Sequence, residues 1–221
     1  IQGNGSIQIA SGKTLTAGGL NTDTEVSGVI SGGGGFTKTG TGTTTFSGSN
    51  TYEGATAINA GSLKVGGSQA IPRESDLQLG VRGYKLNDEG KEVETVAKSS
   101  GSLDLNGFNV EVNKFVPVSG SIRGEGKLTV AEPVSDTFHY NKLSIAEGSN
   151  LTLKSGGSLG VGLDLDGVIS VDGGKLTIKN QLADGNGLIK IANGATLQVA
   201  QSSSYRALLG KWNLINNGKI V

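Results

Sequence analysis

The sequence has no cysteine, no methionine and only 3 prolines, and aromatic residues make up 5% of its 221 positions. Without cysteine the chain has no disulfide, no thiol nucleophile and no thiolate metal ligand. Without methionine, Ile1 is not a natural translation start, so we expect the chain to be a processed or excised part of a longer protein. The few aromatic residues, with a hydrophobic fraction of 35%, predict a thin core of small aliphatic side chains.

An excess of charge of one sign is also missing, because 19 Lys and Arg residues balance 19 Asp and Glu residues. A neutral chain lacks the positive field that gathers nucleic acid or anionic lipid, so we expect neither as a partner. The sequence has no apolar run of about 18 residues, the length that a membrane-spanning helix needs. We therefore expect no direct membrane insertion by this segment.

Glycine is abundant, at 38 residues, which argues against long helices, and the scarcity of proline argues against a collagen-like chain. Short segments in which apolar and polar residues alternate recur along the chain, separated by Gly or Asn turns. This period of two is typical of β-strands. The clearest of these segments are residues 6–9, 14–16, 143–145, 151–153, 169–171, 176–178, 189–191 and 197–199.

The first aliphatic residues of successive units follow one another at steps of about 20 residues. One series is Leu103, Ile122, Leu143 and Leu163, and a second is Ile169 and Ile189. Such a step suits one coil of a solenoid, so we predict an all-β fold, a parallel β-helix (β-solenoid) with about 20 residues per coil, as a single module over residues 1–221. An antiparallel β-sandwich or barrel is the alternative, because it shows the same alternation.

The alternation also predicts which side chains face the core. Aliphatic residues at the repeated phase, such as Ile145, Leu151 and Ile191, are expected to point inward. The polar residues between them are expected to form ladders on the outer surface of the rod. Examples of these outward positions are Thr152, Thr177 and Gln198.

Residues 73–98 depart from the repeat pattern because they contain a high density of charged side chains. Two alternating runs, residues 77–86 and 91–96, flank the turn-forming residues 87–90, so we predict an inserted β-hairpin. A projection from a rod is a common place for binding residues, although a tolerated surface insertion gives the same pattern.

Within the predicted hairpin, the candidate partner-binding residues are Arg82, Tyr84 and Lys85. Arg and Tyr are favoured at the energetic centres of interfaces. The expected partner is a host-surface protein, a glycan, or a second copy of the chain.

Residues for catalysis, metal binding or cofactor binding are sparse. His139 is the only histidine, so zinc sites and histidine-based triads lack their usual parts. Asp164 and Asp166 alternate with leucines and are expected on one outer face; calcium binding or glycan chemistry competes there with a plain solvated surface. The glycines of residues 32–35 are not followed by the elements of a phosphate-binding loop. We predict no catalytic, metal or cofactor site.

Residues 28–65 carry the most specific pattern, GVISGGGGFTKTGTGTTTFSGSNTYEGATAINAGSLKV. This segment closely resembles the passenger-associated transport repeat, also called the autotransporter-associated β-strand repeat, of type V secreted proteins. Phe36 and Phe46 supply large apolar groups there, and Asn50 is a candidate for stacking in a turn. Residues 101–110 are similar to the coil that commonly follows in such passengers.

The resemblance implies a right-handed parallel β-helix that serves as a passenger domain. Such a passenger is exported through the outer membrane and is displayed on the bacterial surface or released, and the repeat is expected to aid export and folding. A stalk or adhesin segment without enzyme activity is therefore the predicted function. A self-assembling extracellular fibre subunit and, less favoured, a polysaccharide-cleaving β-helix enzyme are the alternatives.

The C-terminal residues 204–221 contain Trp212, the only tryptophan. They resemble the strand that often closes passengers before the translocating barrel. We therefore expect a C-terminal cap that covers the last coil.

Overall fold

A computed structural model describes residues 1–135, 142–160, 162–179, 185–199 and 213–221. These residues form short strands and no helix. The strands follow one another so closely that corners of a few residues, rich in Gly, Asn and Asp, connect them.

In chain order, the first strands are β1 (Ile7–Gln8), β2 (Thr14–Ala17), β3 (Thr24–Val26), β4 (Ile30–Gly32), β5 (Gly35–Lys38), β6 (Thr43–Phe46), β7 (Thr51–Tyr52), β8 (Thr56–Ile58), β9 (Gly61–Val65) and β10 (Leu77–Leu79). The next are β11 (Val81–Leu86), β12 (Glu92–Ser99), β13 (Gly101–Asp104), β14 (Asn109–Val112), β15 (Phe115–Pro117), β16 (Gly120–Arg123), β17 (Gly126–Val130), β18 (Val134–Ser135) and β19 (Lys142–Ile145). The last are β20 (Ser149–Leu153), β21 (Gly156–Leu159), β22 (Gly162–Leu165), β23 (Val168–Val171), β24 (Lys175–Ile178), β25 (Leu188–Ile191), β26 (Thr196–Val199), β27 (Asn213–Asn216) and β28 (Lys219–Ile220).

The strands stack into three faces that each coil visits in the same order. The first face holds β1-β4-β7 and, after an interruption, β14-β17-β20-β23-β25-β27. The second holds β2-β5-β8-β10-β15, followed by β18-β21-β24-β26-β28, and the third holds β3-β6-β9-β13-β16-β19-β22. Neighbours within each face are parallel, as in the pairs β13–β16 and β20–β23.

About 9 coils, roughly 20 residues apart, are stacked in this way. The predicted parallel β-helix is therefore confirmed, and the antiparallel sandwich is excluded. The right-handed sense remains a prediction of the resemblance.

The register of the third face corrects one series of stacked residues. Ile122 pairs with Leu103 in the coil before it, as predicted, but with Ile145 in the coil after it. Leu143, which the spacing placed above Ile122, lies above Gly120, and its predicted pairing with Leu163 in the following coil is confirmed. The prediction was wrong by two residues at this step because the coil between Ile122 and Ile145 is longer than the average.

The second series of aliphatic residues lies on a different face. Ile169 pairs with Ile189 on the first face, whereas Leu163 belongs to the third face. The offset between the two series is therefore a corner of the rod, and both series point into one core. Both Ile169 and Leu163 are fully buried.

The predicted inward positions are confirmed, because Ile145 and Leu151 are 0% exposed and Ile191 is 1% exposed. One predicted outward position lies in a polar ladder, as expected, but is less exposed than a surface position. Thr152 is only 5% exposed, because its register places it between Thr129 and Ser170 of the neighbouring coils. Short hydroxyl side chains pack tightly along this ladder and leave little room for water.

The inserted hairpin is confirmed as the antiparallel pair β11–β12. It leaves the rod at the corner between β10 of the second face and β13 of the third face. Residues 77–79, which the sequence pattern joined to the hairpin arm, form coil strand β10 and pair with β8 and β15. At the base of the hairpin, the Ser99 hydroxyl donates a hydrogen bond of 2.5 Å to the carbonyl oxygen of Asn59.

Candidate functional site

The coils around residues 36–75 contain the largest buried side chains and a set of buried polar groups. Phe36 and Phe46 are fully buried, with ring centroids 4.7 Å apart and planes tilted by 57°. Such a tilted pair is favoured over a face-to-face stack. At the corner between their strands, Gly40 has φ of +68°, and a Cβ there would collide with the carbonyl oxygen of Gly18 in the preceding coil. This coil is thus packed around a few specific residues.

Lys38 is a buried cation in this coil, with a side chain that is 0% exposed. Its Nζ donates hydrogen bonds to the carbonyl oxygens of Thr39 at 2.6 Å, Gly40 at 3.1 Å and Ala60 at 3.3 Å. These three acceptors match the three protons of an ammonium group. Burial lowers the pKa of Lys38, and the negative charge of Asp23 opposes that shift. Thr39 and Ala60 lie at corners of successive coils, so the ammonium group links these two coils by hydrogen bonds.

Asn50 connects three successive coils through a single side chain that is 5% exposed. Its Oδ1 accepts a hydrogen bond from the backbone N–H of Ile30 at 2.8 Å, and its Nδ2 donates to the carbonyl oxygen of Ala70 at 2.7 Å. Its backbone N–H donates to the carbonyl oxygen of Gln69 at 3.0 Å. Asn50 therefore satisfies one buried backbone group in each neighbouring coil, the N–H of Ile30 and the C=O of Ala70.

A second polar chain runs beside Asn50. The hydroxyls of Tyr52 and Thr56 are 2.6 Å apart, and those of Thr56 and Ser75 are 2.9 Å apart. Ser75 donates in turn to the carbonyl oxygen of Gly54 at 2.9 Å. With the Ser75 proton used in that bond, Thr56 donates to Ser75 and Tyr52 donates to Thr56. All three side chains are fully buried, so this network holds the next coil in one position.

The three residues predicted to bind a partner lie on one arm of the hairpin. In the β11–β12 register, Arg82 is opposite Ala97, Tyr84 is opposite Thr95 and Lys85 is opposite Glu94. Arg82 is exposed. The side chains of Tyr84 and Lys85 lie outside the described residues, so the binding role of this trio stays a prediction.

The other chemical candidates do not converge on one site. Asp164 forms an ion pair with Lys142 at 2.9 Å, and Asp166 accepts a hydrogen bond from the backbone N–H of Asn186 at 3.2 Å. His139 lies outside the described residues, as does Trp212 of the expected C-terminal cap. Among the described residues, no group of three or more His, Cys, Asp or Glu side chains is arranged to hold a metal ion. The described part of the chain also has no helix long and apolar enough to span a membrane.

The segment that supplies these buried polar groups has known relatives. Residues 36–65 match the family model described as Passenger-associated-transport-repeat. Over 160 residues the chain is 30% identical to the protein named Adhesin BmaC autotransporter from Brucella suis biovar 1 (strain 1330). The aligned region is 69% of this chain but 5% of that protein, so the chain corresponds to a small part of its relative. No solved structure matches the chain.

These two matches confirm the resemblance that the sequence shows. The chain is similar to autotransporter passengers and contains one passenger-associated transport repeat. Phe36, Phe46, Lys38 and Asn50 all fall within the matched repeat, whereas Ser75 lies beyond it.

Proposed function

We propose that this chain, a piece of autotransporter passenger sequence, is a structural segment of an adhesin whose transport repeat aids its own export and folding. In this role the passenger crosses the outer membrane unfolded and folds outside, so that it is displayed on the cell surface or released. The segment acts by lengthening the passenger and displaying it at the cell surface, and the proposal assigns it no catalytic step. The name of the relative from Brucella supports the adhesin character.

The observation that carries the proposal is the link that Asn50 makes between Ile30, one coil before, and Ala70, one coil after. A coil of a solenoid contacts only its neighbours, so its stability depends on the interfaces above and below. A side chain that bonds to both neighbours makes three coils form together. Such a unit is suited to start folding as soon as it has left the membrane.

The stacked core gives the folding a direction. Each aliphatic side chain that becomes buried contributes roughly 1.5 to 3 kcal/mol, so every coil added to a folded nucleus is held in place. A chain that folds outside cannot slide back through a narrow pore. Export is thereby driven by folding, without a nucleotide as fuel. The buried Lys38 and the Tyr52 network add rigidity where this nucleus would form.

An export assay tests the proposal. The chain, fused between a signal sequence and a type V translocating barrel, is compared with Asn50→Ala and Lys38→Met by surface labelling and by protease protection of the displayed passenger. We expect several-fold less folded passenger at the surface for both variants. Asn4→Ala is the matched control, because Asn4 is exposed and has no hydrogen-bond partner among the described residues. Full display of both variants, despite lowered stability of the purified chains, would contradict the proposal.

A further inference from the structure

The first face of the rod is interrupted between β7 and β14, where residues 66–76 of the intervening coil form no strand. On the second face, β8, β10 and β15 are consecutive neighbours. The strands β7 and β14 are therefore two coils apart, a separation of about 9 to 10 Å. This is the width that one additional strand would occupy.

A proline explains why the chain does not fill this place itself. Pro72 has no backbone N–H, so it cannot complete a ladder of hydrogen bonds. Residues 72–75 instead form a turn in which the N–H of Ser75 donates to the carbonyl oxygen of Pro72 at 3.0 Å. Residues 71–74 make no backbone hydrogen bond to β7 or β14 within the described structure.

The interruption leaves an open cleft of about 490 Å³ on the surface of the first face. Its floor includes Ile71 and Pro72, and its rim carries Glu53, Glu74 and Glu111. Ile71 is anchored in the core, with 3% exposure, so the floor is fixed. The cleft is thus a rigid depression with an apolar base.

One wall of the cleft is an unpaired strand edge. The carbonyl oxygen of Val112 accepts a hydrogen bond from Ala131 in the following coil at 3.1 Å. Because backbone groups alternate along a strand, those of Asn109 and Glu111 are directed to the opposite side, toward the cleft. Among the described strands β14 pairs with β17 alone, and no backbone hydrogen bond from a turn or loop of the described residues reaches the N–H and C=O groups of these two residues. An open edge of this kind is a template for another strand.

The rim of the cleft is acidic. Glu53 and Glu74 are exposed, and neither has an ion-pair partner among the described residues. Glu111 is already neutralised by Lys154 at 2.5 Å and by Arg73 at 3.1 Å. Because Arg73 also lines the cleft, the three carboxylates and these two cations leave a net charge of −1, with Glu53 and Glu74 as the carboxylates free to attract positive charge.

We propose that this cleft binds an extended, basic peptide segment of another protein, which adds as a strand to the free edge of β14. The backbone of the peptide pairs with Asn109 and Glu111, as in other cases of strand addition. Its Lys or Arg side chains lie near Glu53 and Glu74, and its apolar side chains lie over Pro72, which is partly exposed on the floor of the cleft. A glycan fits less well, because the only aromatic residue in the wall, Tyr52, is 0% exposed and offers no ring for a sugar to stack on. The proposal goes beyond the structural role and is independent of export.

Fluorescence anisotropy of the purified chain with a labelled peptide in which Lys and Val alternate tests this site. We expect saturable binding that weakens with added salt. The double variant Glu53→Lys with Glu74→Lys should weaken binding by about tenfold or more. Glu147→Lys is the charge control, because Glu147 is exposed and lies away from the cleft. Asn109→Pro removes one N–H that faces the cleft while keeping the bonds to β17, and it should also weaken binding.

Two further measurements distinguish strand addition from attraction by charge alone and from a different occupant. The same peptide with N-methyl groups on alternate residues keeps its charge but cannot form a ladder, so it should not bind. Equal binding of the methylated peptide, or unchanged binding to the rim variant, would overturn the proposal. If the peptide does not bind while an oligosaccharide or a second copy of the chain occupies the cleft, the proposed occupant is wrong. Circular dichroism of each variant confirms that the β-structure is intact.

Discussion

The Oδ1 atom of Asn50 lies 2.8 Å from the backbone nitrogen of Ile30, although the two residues are 20 positions apart. This bond replaces a backbone-to-backbone hydrogen bond at Ile30, the first residue of β4. Because the same side chain donates from Nδ2 to the next coil, only a carboxamide serves both neighbours at once. A buried Asn at this position is therefore a structural link between coils.

Replacement of Asn50 by Ala should destabilise the chain by about 2 to 4 kcal/mol, because the buried N–H of Ile30 and the buried C=O of Ala70 lose their partners. Urea unfolding followed by circular dichroism measures the loss. Asn50→Asp keeps the acceptor but loses the donor, so it should also destabilise. Asn4→Ala should leave the unfolding midpoint unchanged, and an equal effect of both Ala variants would show that Asn50 is not a special link.

Aspartate substitutions at Leu151, Thr152 and Thr177 should lower the free energy of unfolding in the order in which these side chains are buried. Leu151→Asp should cost several kcal/mol, because an unpaired charge enters the core. Thr152→Asp should also be costly, since Thr152 is 5% exposed and is enclosed by Thr129 and Ser170. Thr177→Asp should cost less, because Thr177 is only partly buried. Urea titrations of the three variants give the order, and equal tolerance at Leu151 and Thr177 would mean that the inward phase is wrong.

Tyr52 should make the fold sensitive to alkaline pH. Burial raises the pKa of Tyr52 well above its usual value of 10.0, and the hydrogen bond with Thr56 only partly opposes this shift. The neutral phenol therefore contributes stability that is complete below pH 10 and is lost as the pH rises further, because the unfolded chain ionises first. The free energy of unfolding should fall by up to about 1.4 kcal/mol per pH unit from this group.

The control for this prediction is Tyr52→Phe. It should be less stable than the parent chain at neutral pH by about 1 kcal/mol, because the bond to Thr56 is lost. Above pH 10 the difference should shrink, since the Phe variant has no phenol to ionise at this position. Parallel pH profiles of the two chains would contradict the assignment of the shift to Tyr52.

The sequence pattern was sufficient to predict the parallel β-helix, but not which residues pair between each coil and the next. Alternation places Ile122, Leu143 and Ile145 on the inner side, and a slip of two residues keeps all of them inward. Hydrophobicity alone therefore cannot choose between Leu143 and Ile145 as the neighbour of Ile122. The lengths of the corners decide, and they vary from coil to coil.

The buried polar groups were harder to predict than the core. Lys38 lies two residues after Phe36, so the period of two places it inward, although a lysine is rarely fully buried. Its burial depends on three carbonyl oxygens that only the folded corners bring together. Ser75 lies in the irregular segment 66–76, where no strand pattern applies. The residues of that segment that disfavour a strand are Gly66, Gly67 and Pro72.

Because residues 77–79 belong to the rod as β10, the part of the hairpin that can be removed without loss of a coil strand is residues 82–98. Replacement of residues 82–98 by a short Gly-Ser linker should leave the free energy of unfolding nearly unchanged, because the linker only closes a surface loop. It keeps β10 in the second face and the bond between Ser99 and Asn59. Urea unfolding of the variant and of the parent chain gives the comparison.

Replacement of residues 75–97 is the comparison variant, since it spares Lys98 but extends seven residues further toward the N-terminus and therefore removes β10. Leu77 and Leu79 are both 0% exposed, and the loss of a buried Leu side chain costs about 2 to 5 kcal/mol each. The Tyr52 network also loses Ser75, so this longer replacement should unfold the central coils. If the shorter replacement proves equally damaging, the hairpin is an integral part of the rod, and the recognition role predicted for Arg82, Tyr84 and Lys85 loses its structural basis.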